Sequence, residues 1–154
     1  PGLRPKNLSS GNTSSEKVIK YLLNWYEQNE KKIDGILLLQ PTTPYRDISL
    51  FNKAYKLFNR NKNSVIGVTK IFKNPKNFFY GNRIFNKNKN LNKKKIFFFI
   101  DVSLFLIQKN LFLTKKTLIT NNFSPIINEK IKYSLDIDYL HDLKLARLFK
   151  HTNF

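Results

Sequence analysis

The chain has 154 residues, the length of one domain and enough to bury a hydrophobic core. Its 28 Lys and Arg against 10 Asp and Glu leave a net charge of +18, yet 41% hydrophobic and 14% aromatic residues exclude a disordered polycation. No apolar run reaches the roughly 18 residues of a membrane helix; with no Cys a disulfide framework and a thiolate metal site are excluded, and with only His141 and His151 a histidine-built zinc centre is not expected.

In chain order, Thr13-x-x-Glu16 reads as a capping box ahead of Val18, Ile19, Leu22, Leu23, Trp25 and Tyr26, whose helical spacing predicts a helix over 14–30. The short apolar run Ile33 to Leu39 ends at Gln40 and Pro41-Thr42-Thr43-Pro44, as expected for a buried parallel strand with a loop at its carboxyl end. Asp47 is placed to cap a second helix that presents Ile48, Phe51, Ala54, Tyr55 and Phe58 on one face and ends near Asn61. Ser64 to Thr69 supplies a second buried strand. Helix, strand, helix and strand in succession predict an α/β sheet.

From Lys70 to Lys95 the Asn-Lys runs carry little periodicity, and a loop or hairpin insertion is expected. Lys95 to Gln108 reads as one or two strands, Asn110 to Lys116 as a short helix, and Ile126 to Ser134 as a strand. Asp138 is placed to cap a last helix burying Leu140, Leu143, Ala146 and Phe149. Lys and Asn are what A- and T-rich codons supply, so the charge is ascribed to base composition in preference to nucleic-acid binding. The chain begins at Pro1 without a methionine, and its true N-terminus is expected upstream. Nothing resembles a signal peptide, which makes the cytoplasm the expected location.

Three groups of residues could carry chemistry. In Asp136-Ile137-Asp138, side chains two apart on an extended chain point the same way and could converge on one hard cation such as Mg²⁺. The plainer reading makes Asp138 a helix cap and Asp136 a solvated loop residue. Gln40-Pro41-Thr42-Thr43-Pro44-Tyr45-Arg46 stands at a strand's carboxyl end, where open α/β sheets bind ligands. Gln40 offers a donor and an acceptor to a base edge or a sugar, or the loop is only a proline-stiffened connection. Arg4, Thr13, Ser14 and Ser15 gather at the start of the first helix, where free N–H groups favour an anion, although capping alone accounts for Thr13 and Ser14.

Together these segments resemble the N-acylneuraminate cytidylyltransferase family, the CMP-sialic acid synthetases. The resemblance rests on Arg4-Pro5-x-x-Leu8, Thr13-Ser14-Ser15, Leu37-Leu38-Leu39-Gln40-Pro41-Thr42-Thr43-Pro44-Tyr45-Arg46, Ser64-Val65-Ile66-Gly67-Val68 and Asp136-Ile137-Asp138 followed by Asp142-Leu143. It implies a three-layer, Rossmann-like α/β nucleotidyltransferase fold with a dimerisation hairpin inserted at about residues 71–95. It also implies a reaction in which the anomeric hydroxyl of a nine-carbon 2-keto acid sugar attacks the α-phosphorus of CTP and pyrophosphate leaves. Asp136 and Asp138 would hold the catalytic Mg²⁺. Arg4, Thr13, Ser15 and Gln40 would contact the nucleotide, and Gln40 would lie between nucleotide and sugar.

Two departures accompany the resemblance. The family's Gly-rich, Arg- and Lys-bearing triphosphate loop is missing, so residues 1–154 are expected to be a partial cytidylyltransferase domain that is inactive by itself. Asn-Gly-Ala-Ile-Tyr, which lines the family's sugar site, is replaced by Asp101-Val102-Ser103-Leu104-Phe105, which puts Asp101 and Phe105 at the sugar. The leading expectation is a homodimeric cytidylyltransferase for a sialic-acid-like sugar. The alternatives are a relative acting on a legionaminic, pseudaminic or 3-deoxy-octulosonate acid, and a non-catalytic basic domain that binds nucleic acid.

Overall fold

A computed structural model describes residues 3–29, 32–61, 63–71, 79–80, 83–84 and 96–150, the side chains of the two short segments excepted. Helices α1 (Ser15–Asn29), α2 (Ile48–Asn61), α3 (Lys109–Lys115) and α4 (Leu140–Phe149) alternate with strands β1 (Gly35–Leu38), β2 (Ser64–Ile71), β3 (Phe79–Tyr80), β4 (Arg83–Ile84), β5 (Phe97–Gln108) and β6 (Phe123–Asn128). The fold is mixed α/β. Its four-stranded sheet runs in the order β1-β5-β2-β6, and β3 and β4 form a separate antiparallel pair. Apart from that pair, the insertion and dimerisation hairpin expected at 71–95 lie outside the described residues.

The chain divides into two compact units, and β2, β5 and β6 each give residues to both. The first unit, Pro1–Leu38 with Ile48–Ile66 and Leu104–Ser124, holds the apolar core. There α1 buries Ile19 and Leu23, α2 buries Ala54, β2 buries Val65 and Ile66, and β5 buries Leu104 to Ile107. Strand β1 is antiparallel to β5, with Leu38 opposite Phe105 and Gly35 opposite Gln108. The expectation of a parallel, doubly buried strand is therefore corrected: β1 is a sheet edge, and Leu37 is 48% exposed. An all-apolar run signals how much cover a strand can use, and leaves the direction of its neighbour undetermined. Gly35 has a packing reason, because a Cβ there would lie 2.8 Å from Cζ of Phe58.

The helix faces also differ in detail from expectation. The Ser14 carbonyl accepts the N–H groups of Lys17 and Val18, so α1 is capped at Ser14, one residue later than the Thr13 box implies. On α2, Ala54 is buried while Ile48 and Tyr55 are exposed, and on α4, Ala146 is buried while Leu140 is exposed. The strand expected over 126–134 starts earlier, at Phe123, and gives way to a 3-10 turn at Ile131–Ser134.

The second unit comprises Leu39–Asp47, Gly67–Ser103 and Pro125–Phe154. Its buried residues are mixed: Val68, Ile126 and Ala146 stand beside Thr43, Asp101, Ser103 and Asn128. Buried polar groups must find partners inside the protein: Asp101, Ser103 and Asn128 bond one another, and Thr43 bonds the Gln40 carbonyl. Gln40, Asp101, Asp136 and Asp138 all belong to this unit.

Candidate functional site

The loop after β1 is built around one carbonyl. Pro41 and Thr42 make a turn in which the carbonyl of Gln40 accepts the N–H of Thr43 at 3.3 Å and its hydroxyl at 2.9 Å. Arg46 Nη2 donates to the same oxygen, while Nη1 donates to the carbonyl of Ser103 at 2.8 Å. Burial draws the Arg46 guanidinium down from its ordinary pKa, and a guanidinium remains charged at any working pH. The Tyr45 hydroxyl donates to the Ala146 carbonyl at 2.7 Å, which fastens the loop to α4. These bonds hold the backbone of half-buried Gln40 without using its side-chain amide.

The acidic segment lies against this loop. Ile137 donates its backbone N–H to the carbonyl of Thr42 at 2.9 Å, which brings Asp136-Ile137-Asp138 beside Gln40 to Thr43 within one unit. Asp138 is exposed, and it is not the cap of α4: Tyr139 holds that position. The capping carboxylate is that of Asp142, whose Oδ2 accepts the N–H groups of Tyr139 at 2.8 Å and Asp138 at 3.2 Å. Asp138 is thus left with a side chain that capping does not use. Asp136 Oδ1 is buried and has no hydrogen-bond partner. His141 is a surface residue, 3.2 Å from Asp142 Oδ1.

An unpartnered, buried carboxylate oxygen costs free energy unless a cation or a donor reaches it. Two Asp side chains separated by one residue suit Mg²⁺, a hard ion that takes one or two carboxylates and fills its shell with water and phosphate oxygens. Among the described residues no group of three or more His, Cys, Asp or Glu gathers.

Asp101 is placed differently from its sequence expectation. It is 2% exposed, and both its oxygens are engaged. Oδ2 accepts from Thr69 Oγ1 at 2.6 Å and Asn128 Nδ2 at 2.7 Å, and Oδ1 accepts from Ser103 Oγ at 2.6 Å and Ser103 N at 3.1 Å. Its negative charge is therefore held inside the second unit by four donors. Phe105, also expected at the sugar, is a core residue of the first unit, 4% exposed. Between them Val102 has φ 52°, a left-handed conformation that a β-branched residue rarely adopts and glycine adopts freely. It stands where the resemblance has Gly in Asn-Gly-Ala.

Arg4, Thr13 and Ser15 belong to the first unit. Arg4 and Ser15 are exposed and Thr13 is half-buried, and the Arg4 carbonyl accepts from the Ser9 hydroxyl. Sequence reasoning missed Thr69, Ser103 and Asn128, whose strands carry other polar residues as well, so that nothing in the local pattern sets them apart. Their role rests on the pairing that buried polar groups require.

No family model matches the chain. It is similar to the CMP-N,N'-diacetyllegionaminic acid synthase of Legionella pneumophila subsp. pneumophila (strain Philadelphia 1 / ATCC 33152 / DSM 7513). The two are 23% identical over 165 aligned residues, which span 99% of this chain and 69% of that protein. The similarity is distant and runs along the whole chain. It points to the CMP-sugar synthetases as the related group. Among the described residues no helix is long and apolar enough to cross a membrane.

Proposed function

We propose that this chain is the nucleotide- and sugar-handling part of a cytidylyltransferase, which activates a nonulosonic acid with CTP to give the CMP-sugar and pyrophosphate. The observation that carries the reading is the juxtaposition of the Gln40 loop with Asp136-Ile137-Asp138 through the Ile137 to Thr42 bond. The similarity to a CMP-N,N'-diacetyllegionaminic acid synthase supports it, and makes a diacetylated legionaminic acid the first sugar to try.

In this reading the sugar's anomeric oxygen forms a bond to the α-phosphorus as the bond to pyrophosphate breaks. Asp136 and Asp138 would hold Mg²⁺, which when bound neutralises charge on the phosphates. Gln40 offers its amide to the nucleotide and the sugar, and the fixed charge of Arg46 adds positive potential beside the loop. Arg4, Thr13 and Ser15 are proposed as further nucleotide contacts. The polar interior around Asp101 supports the loop from within, and no direct sugar contact is assigned to Asp101 or Phe105.

Calorimetric titration with CTP and MgCl₂ tests the proposal. Saturable, Mg²⁺-dependent binding that Asp136→Ala removes is expected. Binding of other nucleoside triphosphates with equal affinity, or salt-steep binding to any DNA in place of CTP, would overturn it.

A further inference from the structure

We propose that Arg46 is a positioning residue that clamps the Gln40 loop to the bend of β5 and so sets the orientation in which the loop meets a nucleotide, an inference that rests on the functional reading above. The guanidinium spans two backbone carbonyls, with Nη1 on Ser103 at 2.8 Å and Nη2 on Gln40. Each carbonyl is itself a fixed point. That of Gln40 also receives the N–H and hydroxyl of Thr43. Ser103 is tied through its N–H and hydroxyl to Asp101, and its hydroxyl oxygen accepts from Asn128 Nδ2 at 2.8 Å.

The bend itself is strained. Val102 sits at φ 52° immediately before Ser103, and such conformations persist only where their surroundings hold them. Here the holders are the four donors on Asp101, two of which belong to Ser103. The outcome of the strain is the placement of the Ser103 carbonyl on Arg46. A planar fork can bridge two carbonyls in one geometry, whereas a Lys ammonium, a flexible point charge, cannot reproduce that bridge. The residue type is thus matched to a bridging task, and a charge alone would not perform it.

The test uses the full chain and two readouts. In Arg46→Lys, which keeps the charge, backbone amide exchange at Thr43 and Ile137 in the ligand-free protein is expected to quicken about tenfold or more, with exchange in α1 unchanged. CTP affinity in the presence of MgCl₂ is expected to fall about tenfold. Unchanged exchange and unchanged affinity in Arg46→Lys would overturn the proposal. In the wild-type chain, NMR of the Arg46 side chain should show hindered rotation about Nε–Cζ. A freely rotating guanidinium would overturn the proposal without any variant. Absence of CTP binding in the wild type would sink the nucleotide reading, while the exchange contrast would still establish the clamp.

Discussion

The backbone N–H of Ile137 is bonded to the carbonyl of Thr42 at 2.9 Å, and this bond makes two segments distant in sequence into one local surface. A backbone bond fixes position regardless of side-chain identity, so the acids on either side of Ile137 are carried to the Gln40 loop together.

The first prediction concerns Asp136. Its Oδ1 is buried without a partner, so the free protein bears the cost of an unsatisfied carboxylate. Asp136→Asn removes the charge and supplies a donor. It should stabilise the ligand-free chain by about 1 kcal/mol, a rise of about 2–4 °C in melting midpoint, while abolishing Mg²⁺-dependent CTP binding. Scanning calorimetry and a CTP titration check the two halves. A variant that melts lower and still binds CTP would remove Asp136 from the proposed cation site.

Asp101 should respond in the opposite sense. All four of its partners donate to it, so an amide nitrogen in place of either oxygen would face a donor. Asp101→Asn is expected to cost about 1–3 kcal/mol, read as a lower urea midpoint with an unchanged m-value. A midpoint equal to that of the wild type would mean that the cluster rearranges without loss.

Val102 offers a test of backbone strain. Glycine relieves the positive φ but adds chain entropy to the unfolded state and loses a half-buried side chain, so the terms nearly cancel. Val102→Gly should therefore leave stability within about 1 kcal/mol of the wild type. Val68→Gly, at a buried strand position, should cost about 3 kcal/mol or more. Equal losses at the two positions would argue against a left-handed Val102.

Much of this architecture is legible in the sequence, and the failures have physical causes. Helix α1 falls within a residue of its expected span at each end, and β2 is buried as its Val-Ile-Gly-Val run implies, because periodicity and burial are properties of the segment itself. The direction of β1 depends on β5, a partner that no local pattern names. Strand β6 begins at Phe123, ahead of the Ile126 expected, and takes in Pro125; it lies at the sheet edge, and there a missing N–H is tolerated. The Gln40 loop and Asp136-Ile137-Asp138 stand out as motifs, whereas Thr69, Ser103 and Asn128 acquire meaning only once the fold brings them to Asp101.

The last prediction tests the packing that positions the start of β1. Gly35 lies against the ring of Phe58, and a Cβ there would approach Cζ to 2.8 Å, closer than real Cβ contacts come. The ring must tilt or the strand must move, and either spoils packing between β1 and α2 inside the first unit. Gly35→Ala should therefore cost about 1–3 kcal/mol. The double variant with Phe58→Leu should recover part of that loss, because the shorter side chain removes the contact while adding a cavity cost of its own. A double-mutant cycle in urea checks both expectations. Strictly additive losses would mean that Gly35 is required for a backbone reason and that the contact with Phe58 is incidental.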